Sequence, residues 1–241
     1  MSPPKVVFLD AVGTLFGVRG SVGEIYSQFA GQFGVEVSAD LVDRAFAESF
    51  KHAEPSVFPG VSKEELEHYE FTWWKQIARQ TFQRARVLEQ FTDFDRFFTE
   101  LYYYFSTFYP WFVYPDVKSA LLSWKNQGIQ LGVISNFDSR LHQVLKALAL
   151  EEFFSSVTIS TEVCAAKPNR RIFHAALSQY GCKPHQAWHI GDSYQDDYLG
   201  ATEAGLLGIL LQRQAQHPQL FKSVRGRVWS HLQPSAFLTP L

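Results

Sequence analysis

The run Val6-Val7-Phe8-Leu9-Asp10-Ala11-Val12-Gly13-Thr14-Leu15-Phe16 is apolar and β-branched up to a carboxylate, and then breaks at Gly and Thr. It reads as a buried strand that ends at Asp10. In open α/β sheets the carboxyl ends of the strands are where ligands bind, because loops and helix N-termini converge there. A carboxylate in that place can attack as a nucleophile or hold a cation. An isolated Asp before Gly-Thr serves equally well as a turn cap. The rest of the chain decides between the two.

Downstream of Gly17 and Gly20 the period of the apolar residues changes to that of helices. Ile25, Phe29 and Phe33, then Leu41, Ala45, Phe46 and Phe50, recur at helical spacing. Ser38 opens the second of these helices and Glu54-Pro55 closes it. Ser62 with Glu65 has the spacing of a capping box for a third helix through Trp73, Trp74, Ile77 and Phe82. A fourth helix covers Phe94 to Phe105. Residues 18–112 therefore read as a four-helix module without a convincing strand.

At Tyr114-Pro115-Asp116 the pattern turns to α/β. A helix from Asp116 to Asn126, closed by Gly128, leads to the strand Ile129–Ile134, which ends in Ser135-Asn136. A helix from Ser139 to Ala149 precedes a strand around Val157–Ile159. A helix from Arg170 to Tyr180 precedes Ala187–Ile190, which ends in Gly191-Asp192-Ser193. A helix from Tyr194 to Ala204 precedes Leu207–Leu211, and the tail adds a short strand at Arg227–Trp229 and a final helical turn. Alternation of this kind implies a parallel sheet covered by helices on both faces. The expectation is an α/β fold in two parts: a Rossmann-like core from residues 1–17 and 113–241, and an inserted four-helix cap from 18–112. Gly17–Gly20 and Phe112–Pro115 are the expected hinges.

The totals narrow the class. The 241 residues carry 22 basic and 24 acidic side chains, a formal charge of -2, so no basic field for nucleic acid is present. Cys164 and Cys182 form no CxxC pair and are read as packing residues in a reducing compartment. No signal-peptide pattern or spanning-length apolar run occurs. A soluble, cytoplasmic protein, monomer or homodimer, is expected, with neither nucleic acid nor membrane as partner.

Three more strand ends bring chemistry to the edge that carries Asp10. Ser135 and Asn136 are donors to an anionic oxygen. Lys167, in Ala165-Ala166-Lys167-Pro168, supplies a point positive charge. Asp192, with Asp196 and Asp197 behind it, crowds the edge with carboxylates. Such crowding calls for a hard divalent cation, and Mg²⁺ is the common choice with phosphate substrates.

These four segments, in this order and each at a strand end, resemble the motifs of the haloacid dehalogenase superfamily: Asp10-Ala11-Val12-Gly13-Thr14, Ile134-Ser135-Asn136, Lys167-Pro168, and Gly191-Asp192 through Gly200-Ala201. The resemblance covers nearly the whole chain. It implies a Rossmann-like core with a helical cap inserted after the first strand. It implies Asp10 as the nucleophile of a covalent aspartyl intermediate, Ser135 and Lys167 holding the transferring group, and Asn136 shaping that loop. Thr14 would stabilise the bend after the nucleophile and lie at the substrate. Asp10, the Val12 carbonyl and Asp192 would hold Mg²⁺, with Asp197 assisting the metal or its waters. Asp196 is expected to be a solvated helix residue.

One position departs from the pattern. Phosphatases of this superfamily place a second Asp two residues after the nucleophile as general acid and base, and here that position is Val12. General acid–base catalysis contributes ~10²–10⁴ in rate, so a phosphatase lacking it should be slow with poor leaving groups. The leading expectation is a Mg²⁺-dependent phosphatase of a small phosphorylated metabolite. The alternatives are a binding or regulatory protein with an impaired site, and a metal-independent 2-haloacid dehalogenase.

Other features have plainer readings. His189, within a strand pattern, is expected to be a packed, hydrogen-bonded core residue. The module's aromatics, among them Trp73, Trp74, Phe97, Phe98 and Tyr102, are expected mainly to pack on one another, with a remainder lining the site or a partner surface. Arg19, Lys51 and Arg79 are candidate contacts for a substrate anion. Arg170 and Arg171 are read as solvated helix-start residues.

Overall fold

The computed structural model describes residues 3–213 and 228–233. In chain order its elements are β1 (Val6–Leu9), β2 (Phe16–Val18), α1 (Val22–Gln32), α2 (Ala39–Lys51), α3 (Lys63–Arg84), α4 (Phe94–Tyr104), β3 (Trp111–Val113), α5 (Val117–Asn126) and β4 (Gln130–Ser135). There follow α6 (Leu141–Ala147), β5 (Ser156–Ile159), the short α7 (Ser160–Val163), α8 (Arg170–Ser178) and β6 (Ala187–Gly191). A π-helical turn (Tyr194–Leu199) runs into α9 (Gly200–Glu203), and β7 (Leu207–Leu211) and β8 (Val228–Trp229) complete the set.

The main sheet is parallel, with order β5-β4-β1-β6-β7-β8. From β1 the chain builds outward through β4 and β5 on one side, and then crosses to β6 and β7 on the other. The two directions part between β1 and β6, leaving a crevice at the carboxyl ends of those strands. Asp10 stands at the end of β1, beside that crevice.

The strand β1 is apolar on both faces because both faces are covered. Val7 and Leu9 join the cluster that takes in Leu121 and Trp124 of α5 and Val144 of α6. Val6 and Phe8 join the opposite cluster, with Ile172 and Phe173 of α8 and Ala201 of α9. The period-2 alternation of β1 thus divides its side chains between two cores. The four helices α1–α4 form a third cluster, dominated by aromatics such as Phe82, Phe97, Phe98 and Tyr102. Most of the module's aromatic density is spent in that packing.

Several local expectations are corrected. The ends of the helical module are paired: Phe16–Val18 and Trp111–Val113 form an antiparallel two-stranded ribbon, with Gly17 opposite Phe112. The segments read as loop hinges are thus largely ladder, joined through backbone hydrogen bonds that three-residue strands are too short to announce in sequence. At Ser62 the capping box does not form, because the hydroxyl donates to Glu65 Oε2 at 3.0 Å instead of accepting from the backbone. A capping box is present at Ser21 and Glu24, at the start of α1, where such a cap contributes about 1 kcal/mol. The helix expected from Tyr194 opens as a π-helical turn. The helix expected from Ser139 begins at Leu141, because Asp138 and Ser139 are engaged elsewhere. Arg227 and the final helical turn of the tail lie outside the described residues.

No helix among the described residues is long and apolar enough to cross a membrane.

Candidate active site

The four strand-end segments meet. Lys167 Nζ donates to Asp10 Oδ1 and to Asp197 Oδ1, each at 2.6 Å. Asp197 Oδ1 also receives Nε2 of His189 at 2.8 Å, and its Oδ2 accepts the backbone N–H of Ser193 at 3.0 Å. All four side chains of this chain of contacts are buried. Asp10, Asp192 and Asp197 each bring a carboxylate oxygen within 4.8 Å of the others.

Two glycines make the approach possible. Gly13 has a φ of +87°, and a Cβ there would land on the Asp192 carboxylate. A Cβ at Gly191 would land on Asp197. The turn at Gly13 and the end of β6 at Gly191 therefore both need the backbone surface that only glycine leaves open.

Lys167 is held in place by Asn136. The side-chain Oδ1 of Asn136 accepts the Lys167 N–H at 2.7 Å, and its Nδ2 donates to the Lys167 carbonyl at 2.9 Å. The side chain that closes β4 thus fixes the loop that precedes α8 and positions its amine. The peptide between Lys167 and Pro168 is cis.

Charge in this cluster is unevenly compensated. Burial disfavours charge on Lys167, but Asp10 and Asp197 outweigh it and hold the amine above the ordinary lysine range. Asp197 is fully desolvated, yet Lys167 and His189 keep it well below the usual carboxylate range. Asp10 is raised by burial, against the opposing pull of Lys167. His189 is lowered by burial, which keeps it neutral. With its Nε2–H committed to the Asp197 carboxylate, His189 packs edge-on against Phe173 at 5.3 Å. It is the packed core residue expected, and it also supports Asp197, a partnership the strand pattern did not reveal. Asp192 keeps one face open towards the cavity, but the surrounding protein desolvates it and, with the charges of Asp10 and Asp197, pushes its carboxyl up to about 7. One lysine thus faces three carboxylates.

This donor set fits a hard divalent cation. Oxygen ligands converge from Asp10 and Asp192, and the pressure on Asp192 is what a bound cation would relieve. Asp197 has both oxygens engaged by Lys167, His189 and Ser193.

A cavity of about 360 Å³ opens from this cluster towards the helical module. Asp10, Val12, Ser135, Asn136, Lys167, Asp192 and Asp197 line its floor. Asp196 does too; it is a half-buried wall residue whose carboxyl is raised by that burial, rather than a solvated helix residue. Thr14 is not among the lining residues. It is fully buried, and its hydroxyl has no hydrogen-bond partner among the described residues, so no side-chain bond from it braces the bend. Arg19, Lys51 and Arg79 do not line the cavity; Arg19 lies over Phe108 and Arg79 over Phe94. Among the described residues Arg170 pairs with Glu203, at 3.9 Å on the surface.

The guanidinium that does line the cavity is Arg140, which the sequence reading missed. It pairs with Asp138 through Nε at 2.8 Å and Nη2 at 2.7 Å, donates from Nη1 to the Tyr102 carbonyl at 2.8 Å, and lies 3.7 Å from the centre of the Tyr102 ring. Asp138 also accepts Trp74 Nε1 at 2.6 Å. Nearby, buried Glu70 of α3 accepts the Ser139 N–H at 2.9 Å and the hydroxyls of Ser139 and Thr161 at 2.5 Å. These contacts fasten the helical module to the segment after β4. The signal for them was the cluster Asp138-Ser139-Arg140 following a strand end, but its partners lie far away along the chain.

Comparison with known proteins places this arrangement. The family model of haloacid dehalogenase-like hydrolases matches residues 4–205. The haloacid dehalogenase-like hydrolase domain-containing protein 3 of Xenopus laevis is 33% identical over 213 residues, covering 86% of this chain and 84% of that protein. A glyceraldehyde 3-phosphate phosphatase of Methanothermobacter thermautotrophicus is 40% identical over 102 residues, 42% of this chain and 45% of that protein. The crystal structure of a HAD phosphatase from Thermococcus onnurineus superposes with a TM-score of 0.65 at 20% identity, covering 96% of this chain and 94% of that one. The last likeness concerns the fold.

Proposed function

Since this chain belongs to the haloacid dehalogenase-like hydrolases, we propose that it is a Mg²⁺-dependent phosphatase of a small phosphorylated metabolite, acting through an aspartyl phosphate on Asp10. The observation that carries the reading is the buried contact of Lys167 with both Asp10 and Asp197, beside a third carboxylate, that of Asp192, with an oxygen within 4.8 Å of theirs. A metal-independent displacement of halide has no use for that third carboxylate, and the partial match to a phosphatase agrees.

In this mechanism an Asp10 oxygen attacks phosphorus, and the ester P–O bond breaks with its electron pair leaving on the alcohol oxygen. Water then attacks the phosphorus of the acyl phosphate and regenerates the carboxylate. Lys167 balances the charge of Asp10 and of the phosphoryl oxygens. Ser135 lines the floor as a donor to those oxygens. Asn136 positions Lys167, and His189 with the Ser193 N–H fixes Asp197. Held by Asp10, Asp192 and the Val12 carbonyl, with Asp197 behind them, Mg²⁺ would supply Lewis-acid screening of the phosphoryl group. The helical module acts as a cap that keeps bulk solvent from the cavity while leaving room for the water that hydrolyses the intermediate. Neither nucleic acid nor membrane is needed as a partner, and the setting is the cytoplasm.

The test is to incubate the protein with Mg²⁺ and radiolabelled acetyl phosphate and to quench in acid. Label should remain on the wild-type protein, be released by hydroxylamine, and be absent from Asp10→Asn. Stable label on Asp10→Asn would overturn the reading. Halide release from a 2-haloacid without metal would favour a dehalogenase.

A further inference from the structure

We infer that the phosphoester this site takes is an aryl one, a small phosphate monoester whose leaving group is a phenol-type ring rather than a sugar or other polyol. The inference rests on the phosphatase reading above and names its substrate class.

The first support is the wall opposite Asp10. The helical module contributes Phe46, Phe50, Trp74, Phe98 and Phe105 to the cavity, and among the described residues it contributes no charged side chain. Trp111 of β3 extends the same surface. The indole N–H groups that could recognise hydroxyls are already committed, Trp74 Nε1 to Asp138 and Trp111 Nε1 to the Phe105 carbonyl at 3.0 Å. Arg140, the one guanidinium in the lining among the described residues, has each of its nitrogens donating to the protein. The hydroxyls the wall still offers are those of Tyr26 and Tyr102, the latter without a partner among the described residues, and a polyol with more hydroxyls than these two can serve would leave the rest unpaired, at a cost of about five- to hundredfold in affinity for each. A ring would gain edge and face contacts of the kind these aromatics already make with one another, such as Phe50 with Trp74 at 5.9 Å.

The second support is chemical and independent of the first. Val12 lines the cavity beside Asp10 and has no proton to give. Tyr26 and Tyr102 stand in the module's wall, and burial raises both hydroxyls far above the ordinary phenol range, which makes them weak proton donors. The lining carboxylates of Asp192 and Asp196 come from the core segment after β6, so a leaving group turned towards the module finds no acid there and departs unprotonated. An alkoxide does so poorly, whereas a phenolate spreads its charge into the ring and needs no acid. The balance is complete: aryl phosphate and water give phenol and inorganic phosphate, the phenolate taking its proton from solvent. A cavity of about 360 Å³ is within the range of small-ligand sites.

The experiment measures kcat/KM of the protein with Mg²⁺ for naphthyl, phenyl, glycerol and acetyl phosphates. Naphthol and phenol are leaving groups of similar acidity, so their comparison reads the wall rather than the chemistry. Acetyl phosphate reads phosphoryl transfer without a ring. Naphthyl phosphate should exceed phenyl phosphate through a lower KM, and should exceed glycerol phosphate by at least about a hundredfold. Phe50 is 47% exposed, so Phe50→Ala should fold. It should lower the naphthyl-to-acetyl ratio of kcat/KM by about three- to tenfold. Turnover of acetyl phosphate that depends on Asp10, with naphthyl phosphate no better than glycerol phosphate, would overturn the substrate class and leave the phosphatase reading standing. Phosphate release from none of the four would overturn both.

Discussion

The Lys167 amine stands 2.6 Å from a carboxylate oxygen of Asp10, although 157 residues separate them in the chain. It stands equally close to Asp197. It is the counter-charge for two buried carboxylates, and a single side chain therefore bears on folding and on chemistry together.

Lys167→Met should leave Asp10 and Asp197 buried without that compensation. Removing one partner of a buried ion pair costs about 3–5 kcal/mol. Urea unfolding at neutral pH should show a loss of that order, together with loss of phosphate release. A loss below about 1 kcal/mol would mean that the cluster is solvated in solution.

Protons and Mg²⁺ should compete at Asp192. Its carboxyl is raised from 3.8 to about 7, so across that window the folded metal-free protein holds more protons than the unfolded chain, and the stability this group contributes is lost as pH rises. Bound cation restores it. The rise in Tm on adding Mg²⁺ should therefore be larger at about pH 8 than at about pH 6. Asp192→Asn should abolish both the rise and its pH dependence, as thermal scans would show.

Val12→Asp places a titratable group in the cavity wall beside Asp10. An acid there should raise kcat for glycerol phosphate by up to about 10²-fold, and that for phenyl phosphate by less, because only the alkoxide needs protonation. Equal acceleration of both substrates would show that the leaving-group step is not what Val12 limits.

Glu70 joins the helical module to the core through Ser139 and Thr161. Burial raises its carboxyl above the ordinary 4.5, so the stability it contributes is present at low pH and falls as pH rises through the folded value. Glu70→Gln cannot ionise and lacks this slope. The Tm of wild type minus that of Glu70→Gln should fall between about pH 4 and about pH 7. A difference that rises instead would mean that the three donors to Glu70 outweigh its desolvation.

Most of the sheet was legible because its longer strands announce themselves locally. Ile129–Ile134, apolar but for Gln130, and the five residues Leu207–Leu211, each bounded by Gly or polar residues, leave little alternative to a buried strand. The four helices of the module were legible for the same reason, from their period. The β2–β3 ribbon was not, because three-residue strands carry no period and depend on a partner about a hundred residues away. The Ser62 cap failed because spacing allows a hydroxyl to reach Glu65 as readily as the backbone.

The sequence by itself determined which residue types stand at the strand ends: Asp10, Ser135 and Asp192 follow from strand endings and from the parallel sheet that aligns them, whereas Lys167, read as a strand-end residue, lies beyond α7 in the loop before α8. Only the tertiary structure decided how those groups are used. That Asn136 spends its amide on Lys167, that His189 braces Asp197, that Arg140 is consumed by Asp138 and Tyr102, and that the wall facing Asp10 is aromatic are all consequences of contacts between distant segments. The physical reason is that strand and helix are specified by nearest neighbours along the chain, whereas charge compensation and cavity lining are specified by neighbours in space.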